Sequence, residues 1–210
     1  MDNEEIKAEE SFEDTSATEN EENRKKKVRG YVLEVLLYVV LFFVCAFVIP
    51  NYVIQRARVS GPSMMNTLQD KDNVLVSKIS YELHDPERFD IVVFYPYKER
   101  KEYQNDKEKQ KEHFVKRVIG LPGETVQIIG SDIYINDEKL EEHYGKDPIT
   151  SAGIAAEKIT LGKDEYFLMG DNREVSYDSR YADIGPIHKD AIDGKAVLRI
   201  WPLKSFGTID

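Results

Sequence analysis

Apolar residues follow two patterns along this chain. From Tyr31 to Ile49 (YVLEVLLYVVLFFVCAFVI), nineteen residues carry a single charge, Glu34, and apolar character resumes at Tyr52-Val53-Ile54. As a helix this run covers about 30 Å, the thickness of a bilayer core. It is apolar on every face, and no other segment could surround it, so it predicts a membrane span. Beyond Pro50 the apolar residues come in short runs: Val74–Val76, Ile91–Phe94, Phe114-Val115, Val126–Ile129, Ile133–Ile135, Tyr166–Met169 and Ala196–Trp201. They are mostly β-branched or aromatic and are separated by Gly, Pro, Asn and Asp, which predicts strands joined by turns. With no long helical periodicity outside the span, the expected class is mostly β: one N-terminal transmembrane helix followed by an all-β domain.

Charge refines this picture. The chain has 210 residues and a net charge of -10, which argues against a nucleic-acid role for the chain as a whole. Residues 1–23 hold ten acidic side chains against Lys7 and few large apolar ones, the composition of a disordered tail. Arg24, Lys25, Lys26, Lys27 and Arg29 then precede the span, which orients the N-terminus to the cytoplasm and everything after Pro50 to the outside. No small-x-small site follows the apolar run, so the segment is expected to stay as an uncleaved anchor. Cys45 is the one cysteine, which excludes an intrachain disulfide. It is expected as a buried apolar filler. Tyr97 to His113 (YKERKEYQNDKEKQKEH) is a highly charged interruption between two strands, expected as an exposed loop. His84, His113, His143 and His188 share no metal-ligand spacing and are expected at the surface, with no metal and no cofactor.

Three stretches carry candidate chemistry. Ser60-Gly61-Pro62-Ser63-Met64-Met65-Asn66-Thr67-Leu68 reads as a tight loop that could expose a serine hydroxyl beside backbone amides, or as a simple turn. It lacks the second glycine of a nucleophile elbow, and no lysine stands three residues after Ser63. In Phe114-Val115-Lys116-Arg117-Val118-Ile119-Gly120-Leu121-Pro122-Gly123-Glu124, two basic residues interrupt an apolar strand. Alternation sends them to opposite faces. If Lys116 shares the face of Phe114 and Val118, burial lowers its pKa and makes it a base; the bland alternative is an edge strand with two surface charges. The third stretch, Gly170-Asp171-Asn172-Arg173-Glu174-Val175-Ser176-Tyr177-Asp178-Ser179-Arg180, follows a short strand and is dense in groups that can bond each other. It is either a solvated turn or a scaffold for a catalytic group from elsewhere.

Taken in order, these stretches resemble the conserved boxes of the bacterial type I signal peptidases, or leader peptidases. The carriers are Ser63-Met64 with Thr67-Leu68, the Lys116–Glu124 stretch, and Gly170 to Arg180, which fits G-D-N-R-x-x-S-x-D-S-R at every fixed position. Arg88-Phe89-Asp90-Ile91-Val92-Val93-Phe94 resembles a fourth box. The resemblance covers about residue 30 to the C-terminus. It says nothing about the disordered cytoplasmic tail (1–29); it implies an anchor (30–54), a β catalytic core in two parts (55–129 and 164–210) and a small inserted cap subdomain (130–163).

What the resemblance implies for chemistry is a Ser–Lys serine protease that removes signal peptides from secreted preproteins without a cofactor. Ser63 would be the nucleophile, its amide serving the oxyanion, and Lys116 the general base. Ser176 would hydrogen-bond the Lys116 amine, with Asp178–Arg180 and Arg117–Asp171 as supporting ion pairs. The enzyme would be single-pass in the cytoplasmic membrane, touching lipid, with its catalytic domain outside and an apolar rim of Met64 and Met65 near the site. Trp201 could join that rim or the core. The chain departs from the family pattern at Asn66, usually proline, at Phe89, usually glycine, and at Gly61, where some members carry an oxyanion-stabilising hydroxyl. The alternatives are another Ser–Lys protease on a related scaffold and an inactive, membrane-anchored binding domain. Oligomeric state is not legible.

Overall fold

The computed structural model describes residue 24 and residues 26–98, 100–145 and 147–209. The acidic tail expected over residues 1–23 lies outside the described residues. The chain divides into two compact units, Met1–Pro50 and Asn51–Asp210. In the first, helix α1 (Lys26–Ile49) is 24 residues long, reaches a mean hydropathy of 2.9 over 18 residues and is long and apolar enough to cross a membrane. Its side chains are exposed on every face, Leu37, Phe42 and Phe47 among them. Cys45, expected as buried, is exposed there too.

The second unit is built from strands. In chain order they are β1 (Ile54–Arg58), β2 (Asn73–Ser77), β3 (Ile91–Phe94), β4 (Phe114–Gly120), β5 (Thr125–Ile129), β6 (Asp132–Ile135), β7 (Glu138–Lys139), β8 (Ile159–Thr160), β9 (Glu165–Met169), β10 (Ile187–His188), β11 (Ile192–Trp201) and β12 (Gly207–Thr208). Eight of them form a curled sheet in the order β1-β2-β11-β3-β4-β9-β10, with β12 paired to β11. The other four form a smaller sheet, β7-β6-β5-β8. This smaller sheet takes its first strand from Thr125–Ile129, ahead of the insert expected at 130–163.

The continuous apolar runs have a simple cause: their strands are buried on both faces. On β3, Ile91 and Val93 join a core with Val59, Leu68, Val74 and Val76, while Val92 and Phe94 join another with Tyr97, Val118 and Leu168. On β9, Tyr166 and Leu168 enter that second core, and Phe167 and Met169 enter a third with Val126, Ile128, Ile133 and Leu161. The third core lies between the two sheets and ties them together. Two register shifts on β11 against β2 and one between β4 and β9 accompany the curl.

The expected apolar rim divides. Met64 is core, whereas Met65 is exposed. Trp201 is 54% exposed and so does not belong to the core.

Candidate active site

β4 is central, paired with β3 on one side and β9 on the other, so both basic residues that interrupt it are enclosed. Lys116 is 4% exposed and Arg117 fully buried. They face opposite ways and meet different partners. The Lys116 amine lies 2.7 Å from Ser63 Oγ, at hydrogen-bond distance, and 5.3 Å from the centre of the Phe114 ring. Burial away from water lowers its pKa from the ordinary lysine value to about 8. Asp178 and Asp171 push it upward and Arg180 downward, effects smaller than burial.

Arg117 is held from several sides. Its guanidinium donates to both Asp171 oxygens, at 2.9 and 2.8 Å, and to the Phe89 carbonyl at 2.8 Å. The ring of Tyr144 covers it at 3.5 Å. Thr67 Oγ1 donates to the same Asp171 at 2.5 Å. One carboxylate thus joins the loop of Ser63 to the strand of Lys116. Arg180 forms a second two-bond pair with Asp178 (2.8 and 2.9 Å), and Asp178 also accepts from the Gly170 amide at 3.0 Å.

Ser176 departs from expectation. Its hydroxyl is buried and makes no hydrogen bond among the described residues, while the Lys116 amine is engaged by Ser63. The hydroxyl is packed against Gly170 instead. A Cβ on Gly170 would lie 2.2 Å from Ser176 Oγ and 2.4 Å from the Ser63 carbonyl oxygen. That carbonyl accepts from the Asn172 amide at 3.0 Å, so the last stretch grips the serine loop directly.

The three departures from the family pattern have distinct geometries. Asn66 has φ 96°, which proline cannot adopt, so the two residues are not interchangeable in this turn. Phe89 keeps a glycine-like φ of 74° and is held by the bond from Arg117 and by ring contact with Tyr144 at 5.1 Å. Gly61 has φ 88°, and its amide donates to Asp70 Oδ1 at 3.0 Å.

Two contributors carried no sequence signal. Tyr144 stands in the inserted segment with nothing to link it to Arg117. Arg173 was visible in its stretch, but its partner was not: it forms a two-bond pair with Glu142, both bonds 2.6 Å. The four histidines lie at the surface, His188 half-buried and the rest exposed. Ser63 and Lys116 open onto a groove of about 740 Å³ lined also by Pro62, Met64, Phe114, Val115 and Val175, a volume within the range of ligand clefts.

The family described as "Signal peptidase, peptidase S26" matches residues 32–201, which include this whole site. The chain belongs to the signal peptidase S26 family. Signal peptidase I of Leptolyngbya laminosa is 38% identical over 183 residues, covering 87% of this chain and 86% of its own length. Signal peptidase I of Bacillus caldolyticus is 36% identical over 172 residues, covering 76% and 84%. A solved signal peptidase I from Enterococcus faecalis V583 aligns with TM-score 0.41 at 31% identity, covering 53% of this chain and 97% of its own. As a signal peptidase, the chain is a serine peptidase acting on preproteins that carry signal peptides.

The contact at Gly170 gives a sharp test of that peptidase's tolerance. A methyl group there must displace the Ser63 carbonyl or Ser176. Gly170→Ala is expected to lower kcat about a hundredfold, as misplacement of a reacting group by about 1 Å does. Cleavage kinetics checks this, with circular dichroism melting to show the variant folded.

Proposed function

We propose that Ser63 is the nucleophile and Lys116 the general base of a signal peptidase anchored by α1, with its catalytic unit on the outer face of the cytoplasmic membrane. The reading rests on one observation above others: a serine hydroxyl 2.7 Å from a buried lysine amine at the wall of a groove. Burial leaves a useful fraction of that amine neutral near pH 8. The neutral amine takes the Ser63 proton as Oγ attacks the scissile carbonyl. The proton then passes to the leaving amine, and an acyl-enzyme remains. Lys116 next activates a water, and Ser63 is released with its proton restored.

The Ser63 amide serves the developing oxyanion. The Gly61 amide is already given to Asp70, so the second donor comes from elsewhere. The unpaired Ser176 hydroxyl receives the Lys116 amine once Ser63 Oγ is acylated. Arg117–Asp171 and Arg180–Asp178 hold these groups in register. The small sheet with its flanking segments serves as the inserted cap, and the basic cluster Arg24–Arg29 at the start of α1 supports a cytoplasmic N-terminus.

The test is cleavage of a purified preprotein by the full chain in detergent, beside Ser63→Ala. Expected are a single cut after a small-x-small sequence, read by mass, and loss of that cut in the variant with its melting temperature kept. A Ser63→Ala chain that still cuts at the same bond would remove Ser63 from the mechanism.

A further inference from the structure

The charged segment Tyr97–His113 takes no part in the chemistry above. It was expected as an exposed loop, and most of its described residues are exposed, but it is also anchored to the sheet. The buried Tyr97 ring meets Tyr103 edge-on at 4.8 Å and Phe114 at 6.4 Å. The Lys109 amine lies over both tyrosines, 4.1 Å from the Tyr103 ring and 4.9 Å from that of Tyr97. Gln110 Nε2 donates to the carbonyls of Tyr97 (2.6 Å) and Tyr103 (3.2 Å). Asp106 Oδ1 accepts from the amides of Glu108 and Lys109. So many internal contacts fix the end of the segment as a wall.

That wall belongs to the groove of Ser63 and Lys116. Glu108, Lys111, Glu112 and His113 line it, together with Arg58 from the end of β1. The groove changes character along its length. Its apolar lining, Pro62, Met64, Phe114 and Val115, neighbours Ser63 and Lys116 in the chain, and its charged lining, Arg58, Glu108, Lys111 and Glu112, stands further from them in the chain. Glu112 stands four residues before Lys116, about 13 Å away at the rise of a strand, which an extended peptide covers in about four residues. Arg58, Glu108, Lys111 and Glu112 are exposed, and none of them forms an ion pair among the described residues.

We propose that this outer end of the groove is a second recognition subsite, which reads the charge of the preprotein about four to six residues ahead of the cut. Arg58 and Lys111 take acidic side chains, and Glu108 and Glu112 take basic ones. The proposal rests on the function above: the apolar part beside the dyad receives the small residues next to the cut, so the charged part falls on residues further from it. The site then has two selections in series, size near the bond and charge beyond it.

The experiment uses the full chain in detergent and three peptides that differ only in an acidic, neutral or basic residue five positions before the cut. Lys111→Glu should move the kcat/KM preference toward the basic peptide about threefold, and Glu112→Lys should move it as far toward the acidic one, the size of a surface charge pair. Both shifts should lie in KM and shrink as salt rises. Glu102→Lys, in the same segment but away from the groove, should leave the preference unchanged. Equal preferences in all four chains would overturn the subsite while leaving the dyad untouched. Binding of the labelled peptides to the Ser63→Ala chain, read by fluorescence anisotropy, separates the two readings. Charge-dependent binding without any cleavage by wild type would sink the dyad and keep the subsite. Binding without charge dependence would sink the subsite whatever the cleavage shows.

Discussion

Lys116→Met is expected to cut preproteins at least about a thousandfold more slowly than wild type, the scale seen when a member of a serine triad is lost, and yet to unfold at a higher temperature at pH 7. Both effects have one source. A buried amine is useful as a base because its charged form is disfavoured, and that same disfavour is a cost to the fold. The pKa falls from 10.5 to about 8 on folding, with burial the largest cause. Between those values the unfolded chain binds more protons than the folded one, so wild-type stability rises as pH climbs from about 8 to 10.5. Below pH 8 the cost is fully present, worth about 3 kcal/mol at 1.36 kcal/mol per pH unit. Methionine fills similar space without a charge, so its advantage should be largest at pH 7 and fade by pH 10.5. Urea titrations at the two pH values check this. In parallel, wild-type kcat/KM should rise with pH to a midpoint near 8. A midpoint above 10, or a methionine variant no more stable at pH 7 than at pH 10.5, would mean that the amine is hydrated.

Asp171→Ala should cost about 3–5 kcal/mol of stability, the penalty for leaving a buried partner charge uncompensated. Asp171 is fully buried and accepts two bonds from Arg117 and one from Thr67. Without it, the guanidinium keeps the Phe89 carbonyl, the Tyr144 ring and the weaker Thr67 bond at 3.3 Å, none of which carries a compensating negative charge. Arg117→Met should cost a similar amount, because the carboxylate is then stranded. The double variant should lose clearly less than the two single losses combined, since the pair is removed together. Denaturant midpoints of the four chains measure that coupling. Additive losses would show that the two groups do not act as a pair. Activity should fall with Asp171→Ala below its melting temperature as well, because the carboxylate joins the serine loop to the lysine strand.

The sequence carried more of the fold than of the contacts. Runs such as Ile91–Phe94 marked strands because β-branched residues side by side suit a strand covered on both faces. The strand through Lys116 and Arg117 was legible as an apolar strand with two charges on opposite faces, but whether it was central or an edge was not. Two charges in a row look like a strand's end unless their partners are known, and those partners lie far along the chain. Asp171 and Arg180 could be named because their stretch follows a specific pattern. Glu142 and Tyr144 could not, since a lone glutamate or tyrosine in a short inserted segment has no periodicity to betray what it touches. Asn66 suits a turn as proline does, but turn propensity does not report the sign of φ, which is positive here. In the segment 97–113 the charges marked the exposure that most of its described residues have, but not that Tyr97, Tyr103 and Gln110 anchor it.

The ion pairs around the dyad have a consequence for how the base is tuned. Asp178 and Arg180 act on the lysine amine in opposite directions, and these two effects, like that of Asp171, are smaller than burial. Its basicity is then governed by hydration, and hydration is something a substrate controls. On the proposed mechanism, a peptide lying in the groove would exclude the last solvent from around the amine and drive it further toward the neutral form. The preprotein would then complete the activation of the base by drying the site it enters.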